Sequence, residues 1–233
     1  MKKRQDQFIR DCVEWDVTNW SKAFAFWKAN AKLENSNYEC MELGGRSGGL
    51  SLWLSMLGNN VICSDLENPE KNARKLHDKY DLPNPIRYQA VDATNIPFEK
   101  HFDIIVFKSI LGGISRNNNS HLNQIVINQI YKALKPGGKL LFAENLEATS
   151  LHRFVRRKFT NWGRYWNYLT VTDMRILFKG FQDLKHDTAG FLAAFGRTEK
   201  QRNFLGKLDT LLFDKTVSRQ YEIYCLWRCH QRH

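Results

Sequence analysis

The sequence predicts an α/β fold in which helices cover both faces of a doubly wound, mostly parallel sheet. Between residues 38 and 144, five short apolar runs alternate with helical patterns, which is typical of parallel strands joined by helical crossovers. Four carboxylates stand at or just after the ends of predicted strands: Glu42, Asp65, Asp92 and Glu144. Ligands of such sheets bind beyond the carboxyl ends of the strands, so we expect the site at that edge.

The predicted elements follow one another in a regular order. The first five strands are predicted at 38–43, 61–64, 86–91, 102–107 and 139–144, with helices at 50–57, 69–80 and 122–134 between them. The last elements are a helix at 172–179 capped by Thr170 or Thr172, a strand at 181–186, a helical insertion at 191–215 and a strand at 220–228. Residues 5–32 predict N-terminal helices, the second capped by Thr18 or Asn19, that cover one edge or lid of the sheet.

A glycine-rich turn follows the first predicted strand. Residues 41–48 read Met-Glu-Leu-Gly-Gly-Arg-Ser-Gly, and Asp65 ends the second strand 23 residues after Glu42. The glycines let backbone amides approach a ligand, and Asp65 can accept hydrogen bonds from a ribose diol. Arg46 replaces the glycine that a pyrophosphate needs, and Glu42 suits a cationic ligand bearing an amine better than a pyrophosphate. The turn therefore predicts a nucleoside-containing cofactor other than a dinucleotide.

Length and composition indicate one large domain. The chain has 233 residues, of which 42% are hydrophobic and 25% charged. We expect a helical cap at 1–36, a cofactor-binding core at 37–146 and acceptor-side elaborations at 147–233. The N-terminus has basic residues but no apolar run typical of a secretory signal, and the five cysteines form no Cys-x-x-Cys pair. These features favour a cytoplasmic protein with reduced thiols.

Positive charge is concentrated in the second part of the chain. Residues 1–145 carry 19 basic and 16 acidic side chains, whereas residues 146–233 carry 16 and 8. Such a field favours an anionic partner, which could be nucleic acid, an acidic membrane surface or an acidic substrate. A generally basic protein without such a partner is the alternative.

Residues 151–169 combine this charge with aromatic side chains. The segment holds five Arg or Lys residues and no acid, together with two Trp and two Tyr. Such composition suits a membrane interface or stacking on sugars or bases, although a core-packed helix with solvated arginines has the same pattern. We expect substrate contacts from Arg153, Arg156, Arg157, Trp162, Tyr165 and Trp166.

The region 38–146 resembles the class I S-adenosylmethionine (SAM) methyltransferases. The resemblance rests on the turn from Glu42 to Gly48, on Asp65, on the pair Asp92-Ala93, on Phe102-Asp103-Ile104-Ile105-Val106, and on the turn Leu134-Lys135-Pro136-Gly137-Gly138-Lys139-Leu140. Arg46 departs from the middle glycine of the family's first motif, which leaves the local shape of the loop open.

This resemblance implies a Rossmann-like, seven-stranded sheet with helical insertions after strands five and six. It also implies that Asp65 holds the ribose hydroxyls and that Asp92 contacts the adenine amino group. The cofactor-binding residues expected from it are Glu42, Gly44, Gly45, Gly48, Asp65, Leu66, Asp92, Ala93 and Lys108.

Methyl transfer to a hydroxyl calls for a base, and the candidate bases are His101, His121 and His152. His101 precedes strand four, on the wrong edge of the sheet, and His121 opens a helix, so His152 is favoured. His152 follows the fifth strand in the loop over the predicted site, although a solvated histidine would look the same in the sequence. Lys108, after the fourth strand, is the alternative or holds an acidic substrate. No compact cluster of His, Asp and Glu predicts a catalytic metal. No Asn-Pro-Pro-Tyr motif and no cysteine follow strand four, which argues against the amino-methylating and C5-methylating nucleic-acid enzymes.

A weaker resemblance, carried by the aromatic N-terminal helices and residues 151–169, is to methyltransferases of bacterial surface polysaccharides such as O-antigen. It implies O-methylation of a sugar in an acidic or lipid-linked glycan, by a cytoplasmic protein or one peripheral to the inner face of the membrane. An RNA methyltransferase is the second hypothesis, opposed by the lack of a separate RNA-binding module. A non-catalytic protein that binds a cofactor or nucleic acid is the third. The oligomeric state stays open.

Overall fold

The fold is described from a computed structural model. It describes residues 2–33, 37–117, 119–147, 154, 165–190, 192, 196, 198–213 and 224–230, with backbone alone at 212–213 and 224–230.

Three helices precede the first strand, and strands and helices largely alternate after it. The helices are α1 (Lys2–Val13), α2 (Val17–Trp20), α3 (Lys22–Ala31), α4 (Gly49–Met56), α5 (Pro69–His77), α6 (Leu111–Ile114), α7 (His121–Ala133), α8 (Val171–Leu177) and α9 (Glu199–Leu208), which continues as a π-helical turn, Asp209–Phe213. The strands are β1 (Glu39–Leu43), β2 (Asn60–Asp65), β3 (Arg87–Ala90), β4 (Phe102–Lys108), β5 (Leu134–Asn145), β6 (Gln182–Ala189) and β7 (Tyr224–His230).

The strands form one sheet in the order β3-β2-β1-β4-β5-β7-β6. The five strands from β3 to β5 are parallel, whereas β7 runs antiparallel to both of its neighbours. The Rossmann-like α/β fold with a parallel sheet is thus confirmed. Met41 of β1 is paired with Ile62 on one side and Ile105 on the other, so the strand order reverses between β1 and β4. A crevice at the carboxyl ends of these two strands is where ligands bind in such folds.

Each face of the sheet carries its own apolar core. On one face the N-terminal helices pack against α4, with the ring of Phe24 stacked on Trp53 at 4.6 Å between centroids. On the other face Phe142 stacks between Phe107 and Phe178, at 4.9 and 4.5 Å. The N-terminal helices therefore cover a face of the sheet rather than its edge, because their aromatic stripe is matched by apolar residues of α4. Only the turn between α1 and α2 reaches the carboxyl edge.

Several predicted boundaries were wrong for identifiable reasons. The predicted helical region 5–32 is broken at residues 14–16, where Glu14 and Asp16 adopt left-handed backbone angles (φ 66° and 45°). Thr18 and Asn19 consequently lie inside α2 and cap nothing. Strand β5 begins at Leu134, five residues early, because Leu134 already pairs with Phe102 of β4. The register then shifts, and the predicted turn, with a left-handed Gly137 (φ 76°), lies between this pair and the next one, Lys139 with Ile104. Thr170 does cap α8, through a capping box with Asp173.

The helical insertion is shorter than predicted and packs differently. Helix α9 covers ten residues of the predicted region 191–215. The sequence of 191–215 predicts an amphipathic helix with an apolar face. Two residues of that face, Phe204 in α9 and Leu211 in the following π-helical turn, are instead 63% and 75% exposed. The helix instead approaches α2 through Gly206, where an added Cβ would lie 3.0 Å from the Cγ2 of Thr18. A small residue, not the apolar stripe, therefore sets this helix contact.

Candidate active site

The loop after β1 has the backbone of a three-glycine turn, although it contains an arginine. Gly44, Arg46 and Gly48 all have left-handed backbone angles, with φ of 63°, 50° and 75°. The loop shape that the sequence left open at Arg46 is therefore the one a glycine would take. For a residue with a side chain this conformation costs about 1–2 kcal/mol. Residue 48 also has to be a glycine for lack of space, since a Cβ there would lie 2.5 Å from Nε2 of His77.

Glu42 lies behind this loop rather than in the open crevice. Its buried carboxylate accepts hydrogen bonds from the backbone N–H of Ser51 (2.7 Å), the Ser51 hydroxyl (2.6 Å) and the N–H of Leu50 (3.3 Å). Burial raises its pKa to about 7, against the lowering effect of these donors. The acid thus fixes the start of α4 beneath the glycine turn. Its expected direct contact with a cofactor stays a prediction.

Asp65 stands at the carboxyl end of β2, beside the turn. Its Oδ2 accepts from the backbone N–H of Arg46 at 2.9 Å, and its Oδ1 accepts from the N–H of Leu66 at 2.7 Å. An ionised carboxylate has about four acceptor positions, so capacity remains for a diol. The side chain is half-buried and the neighbouring Leu66 is exposed. The structure therefore places Asp65 and Leu66 at the mouth of the crevice.

Asp92 lies on the same edge. The backbone N–H of Val91 donates to the carbonyl of Asp65 at 2.9 Å, which ties the end of β3 to the end of β2. Asp92 is exposed and its Oδ1 accepts from the N–H and the hydroxyl of Thr94, while Ala93 is half-buried against the core. Asp65 and Asp92 are thus brought together at the mouth, whereas the other two strand-end acids are buried.

Glu144 is the second of these buried acids. Its carboxylate accepts from the N–H of Leu111 at 2.9 Å and of Asn145 at 3.0 Å, and burial raises its pKa to about 7. Nearby, at the end of β4, Ser109 has a left-handed backbone (φ 56°). Its hydroxyl accepts a hydrogen bond from the side chain of Asn145. Glu144 therefore shapes the chain after β4, in the way that Glu42 shapes the chain after β1.

Lys108 attaches the turn between α1 and α2 to the carboxyl edge. Its Nζ donates to the carbonyl of Val13, lies 3.7 Å from Oε2 of Glu14, and sits 3.7 Å from the ring centroid of Trp15. The side chain is 10% exposed, and this burial lowers the pKa of Lys108 to about 8, although Glu14 opposes the effect. Glu14 also accepts a hydrogen bond from the hydroxyl of Ser47 in the glycine turn. We name residues 14–16 the lid turn.

A second element holds the lid turn from outside. The Glu199 carboxylate, in the first turn of α9, accepts from the N–H of Asp16 at 3.0 Å and of Val17 at 3.1 Å. The Thr18 hydroxyl donates to Oδ1 of Asn203 at 3.1 Å. Sequence reasoning missed both the lid turn and this clamp, because the partners are about 180 residues apart and no local pattern links them.

The two ends of the chain stretch that contains the predicted acceptor segment, residues 151–169, are joined to each other directly after β5. Leu146, directly after β5, forms an isolated parallel bridge with Leu169, and the N–H of Glu147 donates to the carbonyl of Leu169 at 2.9 Å. Trp166 packs on α6, where a Cβ on Gly112 would lie 1.9 Å from its Nε1. Tyr165 is 64% exposed. His152, Arg153, Arg156, Arg157 and Trp162 lie outside the described residues, and their roles stay predictions.

An open groove of about 840 Å³ lies between helix α5 and β3, the outermost strand of the sheet. It extends from Asn68 past Arg74 to Tyr88 and Ala90. The Tyr88 hydroxyl lies 2.8 Å from Nδ1 of His77, whose Nε2 lies 2.8 Å from the carbonyl of Gly48. The back of the glycine turn is thus linked to the wall of the groove through one buried histidine.

The described part of the chain contains neither a metal-binding cluster nor a membrane-spanning helix. Within it, no three His, Cys, Asp or Glu side chains are grouped so that they could hold a metal ion. No helix there is both long enough and apolar enough to cross a membrane.

Comparison with known proteins finds similarity in the parallel part of the sheet. Residues 41–142 match the family model of a methyltransferase domain. A curated carboxy-S-adenosyl-L-methionine synthase of Hydrogenovibrio crunogenus is 27% identical over 124 residues, which are 52% of this chain and 47% of the relative. The chain thus spans about half the length of that relative.

Solved structures share the fold. Phosphoethanolamine N-methyltransferase 2 of Haemonchus contortus, in complex with S-adenosyl-L-methionine, has a TM-score of 0.62 at 16% identity, over 92% of this chain and 53% of that one. The N-methyltransferase NodS of Bradyrhizobium japonicum has a TM-score of 0.58 at 16% identity, over 91% and 96%. Over residues 41–142 the chain matches a methyltransferase domain, and the glycine turn and the strand-end carboxylates of that region are similar to those of the class I SAM-dependent methyltransferases.

Proposed function

We propose that this methyltransferase O-methylates a sugar of an acidic or lipid-linked bacterial surface glycan. The observation that carries the proposal is the anchoring of the basic, aromatic segment. Its two ends, Leu146 and Leu169, are bridged at the carboxyl edge of the sheet, and Trp166 packs on the helix that follows β4. We therefore propose that the five cations and the aromatic residues of 151–169 contribute to the acceptor side of the crevice.

The described donors and acceptors fit SAM. Asp65 offers spare acceptor positions for a ribose diol, and Asp92 offers an exposed carboxylate for an amino group. The left-handed turn at Gly44, Arg46 and Gly48 carries the chain from the end of β1 past Asp65 to the start of α4. When bound, SAM supplies a methyl group on a sulfonium. The protein has to bind it, orient the acceptor and exclude water.

The lid turn closes the crevice on one side. Trp15 lies over Lys108 and beside Arg46, and Glu199 fixes the backbone that carries it. A half-buried aromatic side chain in this position limits the access of water to the reacting groups. Lys108, with its Nζ on the carbonyl of Val13 and next to Glu14, acts in this proposal mainly by holding the lid.

His152 is the base that we propose for a hydroxyl acceptor. It lies six residues after Leu146, inside the tethered segment. Lys108 is the alternative, because burial lowers its pKa to about 8 and a neutral amine could then take a proton. Both roles require the acceptor to lie between the segment and the end of β4.

The proposed location is cytoplasmic, with a peripheral contact at the inner face of the membrane. The excess of positive charge in residues 146–233, 16 basic against 8 acidic side chains, favours an anionic lipid surface that carries the acceptor. Binding to vesicles with and without an anionic lipid, at two salt concentrations, measures this contact directly.

Transfer of a labelled methyl group from SAM identifies the acceptor. Glycan, lipid-linked saccharide, RNA and small-molecule fractions of the source cell are incubated with the wild type and with Asp65→Ala as the cofactor-binding control. We expect label in a glycan or lipid-linked fraction with the wild type alone. Label in RNA would support the RNA methyltransferase hypothesis, and label in small amines would indicate an N-methyltransferase. Binding of SAM with no label in any fraction would favour the non-catalytic hypothesis.

A further inference from the structure

Arg46 is a cation without an acidic partner at the mouth of the crevice. Its side chain is exposed, and its guanidinium carbon lies 5.2 Å from the ring centroid of Trp15. Among the residues that the structure describes, no carboxylate comes within ion-pair distance of this guanidinium; the contact of Asp65 is with the backbone N–H. The lid turn therefore provides a flat apolar support for the cation but does not neutralise it.

Lys108 shows the contrast. It packs on the same indole ring, but it is buried, lies 3.7 Å from the Glu14 carboxylate and donates to the carbonyl of Val13. Two cations thus share one aromatic ring, and the acid of the lid turn pairs with Lys108. The guanidinium of Arg46 keeps its five N–H donors for another group.

The shape of the loop does not account for an arginine at this position. A glycine takes the left-handed backbone at residue 46 without the cost of about 1–2 kcal/mol that a side chain adds. What arginine adds is a planar, permanently charged fork on an aromatic support. Such forks pair bidentately with carboxylate and phosphate groups.

We propose that Arg46, supported by Trp15, binds the carboxylate or phosphate group of a ligand in this crevice. The backbone N–H of Arg46 is fixed 2.9 Å from Oδ2 of Asp65, and its guanidinium lies over Trp15, so the proposed ligand extends from Asp65 toward the lid turn. The anion has two sources: the amino-acid carboxylate of the cofactor, or an acidic group of the methyl acceptor. The second source rests on the proposed function, whereas the first does not.

Calorimetry with two nucleosides tests the first source. S-adenosylhomocysteine carries the amino-acid end, and 5′-methylthioadenosine lacks it. We expect Arg46→Met to weaken S-adenosylhomocysteine about ten- to a hundredfold, as for loss of a charge-assisted pair, and to leave 5′-methylthioadenosine unchanged. Lys100→Met is the matched control, because Lys100 is also an exposed cation with a left-handed backbone (φ 46°) but lies at the opposite end of β4.

Saturating the protein with S-adenosylhomocysteine tests the second source. Glucuronate and neutral glucose are then titrated into the wild type and Arg46→Met. If the anion belongs to the acceptor, the wild type binds glucuronate but not glucose, Arg46→Met binds neither, and both proteins bind S-adenosylhomocysteine equally.

Two results would overturn the proposal. One is that Arg46→Met matches the wild type for all four compounds, including the case in which neither protein binds glucuronate. The other is an equal loss of both nucleosides, which would give Arg46 a structural role in the loop. Failure to label any glycan would remove the proposed acceptor, but a selective loss of S-adenosylhomocysteine would still establish the anion site.

Discussion

Replacing Glu42 by Gln should remove a large part of the pH dependence of folding stability. Burial raises the pKa of Glu42 from 4.5 to about 7, while the donors from Ser51 and Leu50 work in the opposite direction. The folded protein therefore binds this proton more tightly than the unfolded chain does. The contribution of Glu42 to the free energy of unfolding is highest below pH 4.5 and is lost as the pH rises through about 7, because folding then buries a charged carboxylate.

The difference between 4.5 and about 7 corresponds to about 3 kcal/mol, of which about 2–3 kcal/mol is lost between pH 5 and pH 8. Glu144 has the same raised pKa and adds a similar loss. Glu42→Gln should therefore remove about half of the loss that these two acids cause, while His77 acts in the opposite direction below about pH 6.5 in both proteins. A glutamine oxygen can still accept from Ser51, so the glycine turn keeps most of its support.

Urea unfolding, followed by tryptophan fluorescence at several pH values from 5 to 8, measures the effect. Glu99→Gln is the matched control, because Glu99 is exposed, 3.8 Å from Lys132, and its carboxylate stays in water in both states. Identical slopes for Glu42→Gln and the wild type would show that Glu42 does not change its charge in this range, and would refute the reasoning.

Three other predictions concern cofactor binding, folding stability at acid pH and acceptor binding. Asp65→Ala should weaken S-adenosylhomocysteine ten- to a hundredfold without unfolding the protein; unchanged affinity in calorimetry would show that the ribose lies elsewhere. Burial lowers the pKa of His77 below 6.5, so the unfolded chain binds more protons and stability is lost as the pH falls through about 6.5. His77→Gln should abolish this acid-side loss, and a loss that persists in the variant would contradict it. Replacing Arg153, Arg156 and Arg157 together by Gln should leave SAM affinity nearly intact while weakening the acceptor; loss of SAM binding instead would show that the segment closes over the cofactor.

The parallel core could be predicted because its signals are local. Residues 38–43 were predicted as the first strand and Glu39–Leu43 form it, since an apolar run ended by a glycine turn is readable within ten residues. The predicted helix at 122–134 is His121–Ala133 for the same reason, as its apolar spacing and the following Lys-Pro-Gly-Gly mark both ends. The edge at which Asp65 and Asp92 meet follows from strand direction alone.

The direction of each side chain could not be predicted in this way. Glu42 and Asp65 look alike in the sequence, because both are acids at the ends of apolar runs. In the fold Glu42 is 4% exposed beneath the start of α4, whereas Asp65 is at the mouth. The difference arises from Ser51, whose N–H and hydroxyl draw the Glu42 carboxylate inward, and from the placement of α4 over that strand. Tertiary packing decides such cases, and no single segment encodes it.

Backbone strain marks the part of the site that sequence rules miss. Ten described non-glycine residues have left-handed backbone angles, and four of them, Glu14, Asp16, Arg46 and Ser109, lie at the carboxyl edge around Lys108 and the glycine turn. Each residue violates a local preference that a glycine would have satisfied, at about 1–2 kcal/mol. Such strain persists only where surrounding contacts fix it, here the Glu199 carboxylate, the Ser47 hydroxyl and the Asp65 carboxylate. Local propensity and the global fold disagree at this edge, which is where a functional site is expected to break local rules. Mutations at Arg46 and in the lid turn are therefore expected to test the site more directly than mutations in the helices.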